Sequence, residues 1–338
     1  MRPLIQEAMR DTFPLAEERV AAFYAMQEYH LGWRNLALQA EFAETGKLLR
    51  PQLVVLAAQA VGGDMQQALP LAAGIQLIHD FSLIHDDIED NSATRRGRTT
   101  VWKAWGLAQG INTGDGMFVI AHLALHRLSD TGLEPSIVLD VLRQFDQTIL
   151  TICEGQYLDL SFEGRLDITE ADYLAMISRK TAALIAAAAG LGARVGGATP
   201  SEVQAMFDFG HALGMAFQMQ DDILGIWGKP DVTGKPYAAD IYQRKVSLPI
   251  IYALQHAEQR AELVRIYQQQ VGDDRDVEQA LAILGTTAAR AHTEQAADTY
   301  HEQAIRAIKR IAAAPDSTAS TALQQIEWIA RNLLRRET

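Results

Sequence analysis

Four carboxylates fall within five residues at Asp86-Asp87-Ile88-Glu89-Asp90, and two guanidiniums, Arg95 and Arg96, follow closely. On a helix Asp86 and Asp90 stand at i and i+4, about 6 Å apart along the axis and on one face. Two hard oxygen donors so placed can share divalent cations, and Mg²⁺ prefers one or two carboxylates, retained waters and phosphate oxygens. Guanidiniums suit bidentate phosphate recognition. Metal carboxylates with phosphate-type cations behind them point to a Mg²⁺-diphosphate site. The bland alternative is a solvated acidic face with its local counter-charge, and this stretch alone leaves both open. A second cluster, Asp221-Asp222, closes the run Phe217-Gln218-Met219-Gln220. Two aspartate-rich helix ends, each with its own cations, are hard to explain as solvated faces.

The elements that must position these groups read as helices. Ala-rich periodic segments recur, β-branched alternation is scarce and only 10 Pro punctuate the chain, so a nearly all-helical, single-domain protein over 1–338 is expected. No Gly or Pro intervenes between Ile75 and Asn91, which predicts a helix leading into the first cluster. Residues 5 to 45 read as two amphipathic helices, with Pro14 near a break and His30-Leu31-Gly32-Trp33 between them. Lys47 and Arg50 are neighbours on one face if that face is helical, and Pro51 suits a first turn. His79 lies two turns before Asp86 and near its face, although a lone histidine on an apolar helix is more often a core residue. His85 lacks even that alignment. Asp221 and Asp222 are expected to end a helix that is apolar from about Leu213. Gly228 to Pro236 is Gly/Pro-broken and reads as a loop, a candidate lid. Asp273 to Asp276 precede a periodic run and read as a helix cap. The small side chains of AALIAAAAGLGA allow helix backbones to approach closely.

A net charge of -12 argues against a nucleic-acid surface and repels anionic ligands at long range. Diphosphate ligands would therefore need local cations and metal to reverse the sign. The single cysteine, Cys153, excludes an internal disulfide and is expected to be a buried, inert thiol. No secretory signal is visible and no stretch reaches ~18 uncharged apolar residues. The expectation is a cytoplasmic protein with no membrane span.

Taken together, Gly46-Lys47-x-x-Arg50-Pro51, His79-x-x-Ser82-Leu83-Ile84-His85-Asp86-Asp87-x-x-Asp90 and Arg95-Arg96-Gly97 resemble the first half of a trans-isoprenyl diphosphate synthase. Glu154-Gly155-Gln156, Lys180-Thr181, Gln218 with Asp221-Asp222, and Lys235…Asp240…Lys245-x-Ser247-Leu248-Pro249 continue the resemblance in order. It covers roughly residues 45 to 250. It implies an all-α helical bundle of the isoprenoid synthase type with a central active-site cavity. By the same resemblance Lys47, Arg50, His79 and Arg96 hold isopentenyl diphosphate. Arg95, Lys180, Lys235 and Lys245 hold an allylic diphosphate, and Asp86, Asp90 and Asp221 bind Mg²⁺, three ions per site, with Asp222 behind them. Thr181 and Gln218 line the neighbourhood of the cation. Asp159 and Glu163 are taken as structural. Departures are Leu48 where many members have a basic residue, Thr99 to Trp102, and Gly225 in place of a third aspartate.

The implied reaction is ionisation, condensation and elimination. The allylic C–O bond breaks, the double bond of isopentenyl diphosphate attacks the cation, and a proton is lost to the bound diphosphate. The aromatic Phe81, five residues before Asp86, with Ser82 at the fourth, resembles the archaeal-type geranylgeranyl diphosphate synthases. That implies a C20 main product, with C15 and C25 as neighbours; the family resemblance as a whole implies a homodimer. Two competitors are a class I terpene cyclase, which needs no second diphosphate site, and a non-catalytic partner subunit, which usually loses one aspartate cluster.

Overall fold

Asp64 opens the central element: its side chain accepts from the backbone N–H of Gln66 at 2.9 Å and caps a 25-residue helix. The structure, a computed structural model, describes residues 1–43, 46–229, 237–269 and 273–333. In chain order the first elements are α1 (Arg2–Arg10), α2 (Ala21–His30), α3 (Leu49–Ala60) and the capped helix, α4 (Met65–Glu89). A two-stranded hairpin follows, β1 (Thr94–Arg95) with β2 (Arg98–Thr99), and then α5 (Val101–Trp105), α6 (Leu107–His126) and α7 (Pro135–Phe162). Next come α8 (Glu170–Ile177), a π-helical turn at Ser178–Ala182, α9 (Ala183–Val195) and α10 (Pro200–Trp227). The chain continues with α11 (Ala239–Tyr242), α12 (Leu248–His256), α13 (Arg260–Gln268), α14 (Asp274–Gly285), α15 (Ala289–Ile308) and α16 (Thr318–Leu333). The all-α class expected from the sequence is what the chain adopts.

Two compact units emerge, one of Met1–Gln144, Leu191–Pro200 and Asp316–Ala322, the other of Phe145–Gly190, Ser201–Pro315 and Leu323–Thr338. In the first unit α4 is buried on most sides, from Leu71 through Ile75 and Ile78 to Ile84, and packs against α3 and α6. Gly74 makes the α6 contact possible, because a Cβ there would lie 1.9 Å from Leu125 Cδ1. Gly192 plays the same part for α9, where a Cβ would meet the Val54 carbonyl oxygen at 2.4 Å. The small-residue run thus does what its composition suggests. In the second unit Tyr173, Met176 and Ile177 of α8 pack on Met215 and Met219 of α10 and on Leu248 and Ile251 of α12. Among the described residues one helical stretch, Glu170–Val195, is long and apolar enough to cross a membrane, and 67% of its most apolar window is buried inside the protein.

Several local expectations need correction. The second helix anticipated before residue 45 does not form beyond Trp33. Asn35 Oδ1 instead accepts from the N–H groups of Ala37 and Gln39, both at 3.0 Å, and Leu38 takes a positive φ of 60°. A side chain that satisfies two backbone donors offers the chain an alternative to the helix. The hairpin was not anticipated. Arg96 (φ 52°) and Gly97 (φ 75°) form its two-residue turn, with Thr94 opposite Thr99 and Arg95 opposite Arg98; two positive φ values are what a type I′ turn requires. Lys47 precedes α3 rather than sharing its face with Arg50, since Leu48 at the N-cap is left-handed (φ 49°). Asp221 and Asp222 lie inside α10, a turn and more before its end. Cys153 is exposed, not buried. The Asp273 cap is as expected: its side chain accepts from Asp276 N–H at 2.8 Å.

Candidate active site

In the first unit α4 delivers the first carboxylate cluster at its C-terminal end. Asp86 is half-buried and Asp90 exposed, with the Asp90 N–H donating to the Asp86 carbonyl at 2.8 Å, so the i, i+4 relation holds through the last turn. Asp87 points the other way and is 2% exposed. Arg95 Nε donates to its Oδ1 at 2.8 Å. Burial pushes the Asp87 carboxyl up, and the Arg95 charge opposes that shift. The pair of aspartates is therefore divided in use. Asp87 anchors the hairpin that carries Arg95 and Arg96, while Asp86 and Asp90 remain on the accessible side.

The cations of this unit converge on His79. Arg50 Nη1 lies 3.3 Å from His79 Nε2. Arginine has no acceptor, so the Nε2 lone pair receives this hydrogen bond and the ring proton sits on Nδ1. Burial, and then the charges of Arg50, Arg96 and Arg95, hold the His79 pKa well below its usual range. The Arg96 guanidinium covers Gly46, where a Cβ would stand 3.2 Å from its carbon and where φ is 137°. Gly46, Arg50, His79 and Arg96 are thus brought together as the sequence suggests, with Lys47 beside Gly46 in the chain. Lys47 contributes its carbonyl, which accepts from Arg2 and Gln52. Deeper along α4, the Phe81 ring packs edge-on against His85 (4.8 Å between centroids) and Phe118 of α6 (5.3 Å). Ser82 Oγ turns back to donate to the His79 carbonyl at 2.8 Å. The His85 ring rests on Gly114, where a Cβ would be 2.2 Å from Nε2.

In the second unit Gly155 of α7 lets that helix pass directly under the π turn, for a Cβ there would be 2.2 Å from Lys180 N. One turn along α7, Asp159 accepts from Lys180 Nζ at 2.5 Å. The π turn is itself a common device at functional sites, and it carries both Lys180 and Thr181. Thr181 Oγ1 donates to Gln218 Oε1 at 2.8 Å, and Gln218 Nε2 donates to Asp222 Oδ1 at 3.0 Å. Tyr173 OH donates to the other carboxylate oxygen of Asp222. Asp222 is 1% exposed; burial pushes it up to about 6, against the pull of Lys245 and of its two donors. The pKa of Tyr173 is pushed well up by burial and by Asp222. Burial opposes the charge of Lys245, but Asp222, Asp240, Asp159 and Asp221 outweigh it and push its pKa up. Asp221 stays half-buried beside this network. Lys235 and most of the anticipated lid lie outside the described residues.

Sequence reasoning missed Tyr173 and gave Asp240 no role. A signal for Tyr173 existed: a phenol inside an apolar helix needs a buried hydrogen-bond partner. Nothing local announces the partner, which comes from a residue 49 positions away.

The donor set fits Mg²⁺ better than a resident transition metal. Among the described residues no three His, Cys, Asp or Glu side chains converge on one point. An ion that keeps its waters and takes its remaining ligands from phosphate oxygens needs no such cage. Carboxylates that suit hydrated Mg²⁺ and cations that suit phosphate, carried by an all-α chain, are the groups an enzyme acting on diphosphates needs. The sequence model of the family called polyprenyl synthetase matches residues 33–284. The geranylgeranyl diphosphate synthase of Mycobacterium tuberculosis is 37% identical over 328 residues, covering 95% of this chain and 93% of that protein. A short chain isoprenyl diphosphate synthase of Methanothermobacter thermautotrophicus is 40% identical over 83% of this chain and 84% of its own length. The crystal structure of geranylgeranyl pyrophosphate synthetase from Pyrococcus horikoshii superposes with a TM-score of 0.87 at 30% identity, covering 99% and 96% of the two chains. The chain belongs to the polyprenyl synthetase family and is a prenyltransferase.

Proposed function

We propose that this enzyme condenses isopentenyl diphosphate head-to-tail with C5 to C15 allylic diphosphates, that it requires Mg²⁺, and that its main product is geranylgeranyl diphosphate. Residues 1–338 act in this reading as one catalytic domain. The observation that carries it is the gathering of Arg50 and Arg96 around His79, with Arg96 lying against Gly46. It supplies a second diphosphate site built on two guanidiniums and a neutral imidazole, which a terpene cyclase has no use for. His79 accepts from Arg50 and stays neutral, so it orients the guanidinium without adding like charge to it.

Lys47 and Arg96 complete the grip on isopentenyl diphosphate. Arg95, Lys180, Lys235 and Lys245 hold the allylic diphosphate, and Asp86, Asp90 and Asp221 hold Mg²⁺. Bound Mg²⁺ supplies charge neutralisation for the departing diphosphate. The Thr181–Gln218–Asp222 chain fixes polar side chains next to Lys180, with Thr181 and Gln218 lining the neighbourhood of the cation. The departing diphosphate takes the electron pair of the C–O bond and later the proton released at elimination, so no side-chain base is needed. Incubation with isopentenyl diphosphate and C5, C10 or C15 primers, with and without Mg²⁺, followed by chromatography tests the reading. A C20 product that needs both isopentenyl diphosphate and Mg²⁺ supports it. Consumption of a long prenyl diphosphate without isopentenyl diphosphate overturns it in favour of a cyclase.

The exposed apolar side chains Ile111, Val119 and Leu123 of α6 support a homodimer, which sedimentation analysis would test. A cytoplasmic location is part of the same reading and is open to fractionation.

A further inference from the structure

Beside the His79 face of α4 runs a row of buried polar side chains. Gln76, Asp80 and Asp87 are 6%, 3% and 2% exposed. Their spacing of four and seven residues puts them on one side of the helix, about 100° round from His79 and Asp86. Buried polar groups are destabilising unless paired, so each needs a partner. Asp87 has Arg95. Gln76 Nε2 donates to Oδ2 of Asp80 at 2.8 Å, and the other Asp80 oxygen, Oδ1, faces His30 Nε2 of α2 at 3.7 Å.

The next arginine of the hairpin needs a carboxylate of its own. Arg96 follows Arg95 directly, and a guanidinium taken out of water without a counter-charge is strongly disfavoured. Asp87 is already occupied by Arg95, and Asp80 stands two turns before it, about 10 Å back along α4. His30, Asp87, Arg95 and Arg96 line one space of about 30 Å³, room for little more than a water molecule. Arg96 therefore lies close to the histidine that Asp80 faces. Burial pulls the Arg96 pKa down, and the charge acting most strongly against that is Asp80, ahead of Asp87. With the Gly46 backbone against it as well, the guanidinium is held rather than free.

We infer that Asp80 is a positioning residue for the isopentenyl diphosphate site: held by Gln76 and His30, its carboxylate fixes the direction of Arg96. The inference rests on the isopentenyl diphosphate reading above. Two effects of the Asp80 charge oppose each other. Its field repels a diphosphate. Its hold on Arg96 removes in advance the side-chain freedom that binding would otherwise have to freeze. The sign of a charge-removing substitution tells which effect governs.

Calorimetric titration with isopentenyl diphosphate alone, which has no allylic partner to react with, reads the site without turnover. Asp80→Asn keeps the shape and removes the charge. It is expected to weaken binding about tenfold, the scale of one charged hydrogen bond, and to leave the Michaelis constant for the allylic primer nearly unchanged. In an Arg96→Gln background the same substitution should change the affinity by less than about twofold, because its effect passes through a side chain already lost. Unchanged or tighter binding in Asp80→Asn overturns the inference, since only the field would then be felt. An effect undiminished without Arg96, or an equal loss for the primer, overturns it too. Should Asp80→Asn fail to fold, Gln76→Leu decides. It keeps the charge, removes the hydrogen bond to Asp80 and should weaken binding several-fold; wild-type affinity there overturns the inference. Wild-type protein that binds no isopentenyl diphosphate overturns the parent reading and this one with it, whereas binding by the wild type with equal binding by Asp80→Asn overturns this one alone.

Discussion

The two aspartate pairs, Asp86-Asp87 on α4 and Asp221-Asp222 on α10, use one plan with different partners. In each, the second aspartate is turned inward and almost fully buried. In the first unit Asp87 is held by a cation, Arg95. In the second Asp222 is held by two neutral donors, Tyr173 and Gln218. The consequence differs. The Arg95–Asp87 contact fixes a guanidinium that itself belongs to the proposed diphosphate site, so anchoring and binding share one residue. Tyr173 and Gln218 instead fix Asp222 from inside the core, and the cations of that unit, Lys180 and Lys245, answer to Asp159, Asp222 and Asp240. Burial raises the pKa of both carboxyls; at Asp87 the Arg95 charge opposes the shift, and at Asp222 the Lys245 charge does so together with the Tyr173 and Gln218 donors. In each pair, therefore, the second aspartate serves as the buried anchor and the first stays more accessible.

That equivalence makes its largest prediction at the ligating positions. Asp86→Ala, Asp90→Ala and Asp221→Ala should each cost on the order of 10³-fold or more in turnover while leaving the helical circular dichroism intact, because each removes charge stabilisation specific to the reaction. Near-normal turnover at saturating Mg²⁺ in any of the three would break the equivalence at that position. A smaller and more selective loss belongs to the cationic cluster. Arg50→Ala removes charged hydrogen bonds worth about 1.5–3 kcal/mol each. It should raise the Michaelis constant for isopentenyl diphosphate roughly 10- to 100-fold by the same figure, and that for the allylic primer much less. Equal effects on both substrates would show that the first unit does not separate the two diphosphates.

The first cluster is more legible in the sequence than the second, for a physical reason. Asp86, Asp90, Arg95 and Arg96 lie within eleven consecutive residues, so helix geometry and one tight turn nearly determine their arrangement. Even there the hairpin went unread, because its signal is only Arg96-Gly97 with φ positive at both. Lys47 was misplaced because a left-handed Leu48 separates it from the α3 face, and no pattern of residue types reveals that. In the second unit the decisive contacts are long-range. Tyr173 reaches Asp222, Asp159 reaches Lys180, and Asp240 fills the space before Gly225. Each depends on how helices far apart in the chain pack. The absent third aspartate could be read as a departure, but the carboxylate that takes its space could not.

Tyr173→Phe sharpens the contrast between charged and neutral anchors. It removes one donor from a buried carboxylate and should lower stability by about 1–3 kcal/mol, the cost of an unsatisfied buried acceptor. Its activity loss should fall well short of that at Asp221 and appear in Mg²⁺ dependence rather than in the Michaelis constant for isopentenyl diphosphate. Arg95→Gln should instead raise the Michaelis constant for the allylic primer, since that anchor is also a proposed diphosphate contact. If the two variants give the same kinetic pattern, the difference between the anchors has no functional content.

The smallest expected effect on rate, and the most specific, concerns the helix stretches leading into each pair. Five and four residues before Asp86 stand Phe81 and Ser82; at the matching places before Asp221 stand Ala216 and Phe217. Aromatic and small side chains are thus exchanged between the two helices. Ser82 is turned back to the His79 carbonyl and is small, whereas Phe81 meets the rings of His85 and Phe118 and so links α4 to α6. A C20 chain extends roughly 20 Å, about 13 residues of helix rise, so in the proposed reading Phe81 limits the product together with residues deeper along the same path. Phe81→Ala removes one wall of that aromatic row without touching a carboxylate or a cation. Turnover should therefore survive while products lengthen toward C25 and beyond, as read by reversed-phase chromatography of the dephosphorylated alcohols. Phe217→Ala is the matched control and should leave the product length at C20. Lengthening by Phe217→Ala and not by Phe81→Ala would mean that the prenyl tail follows α10 rather than α4, and the C20 assignment would lose its support.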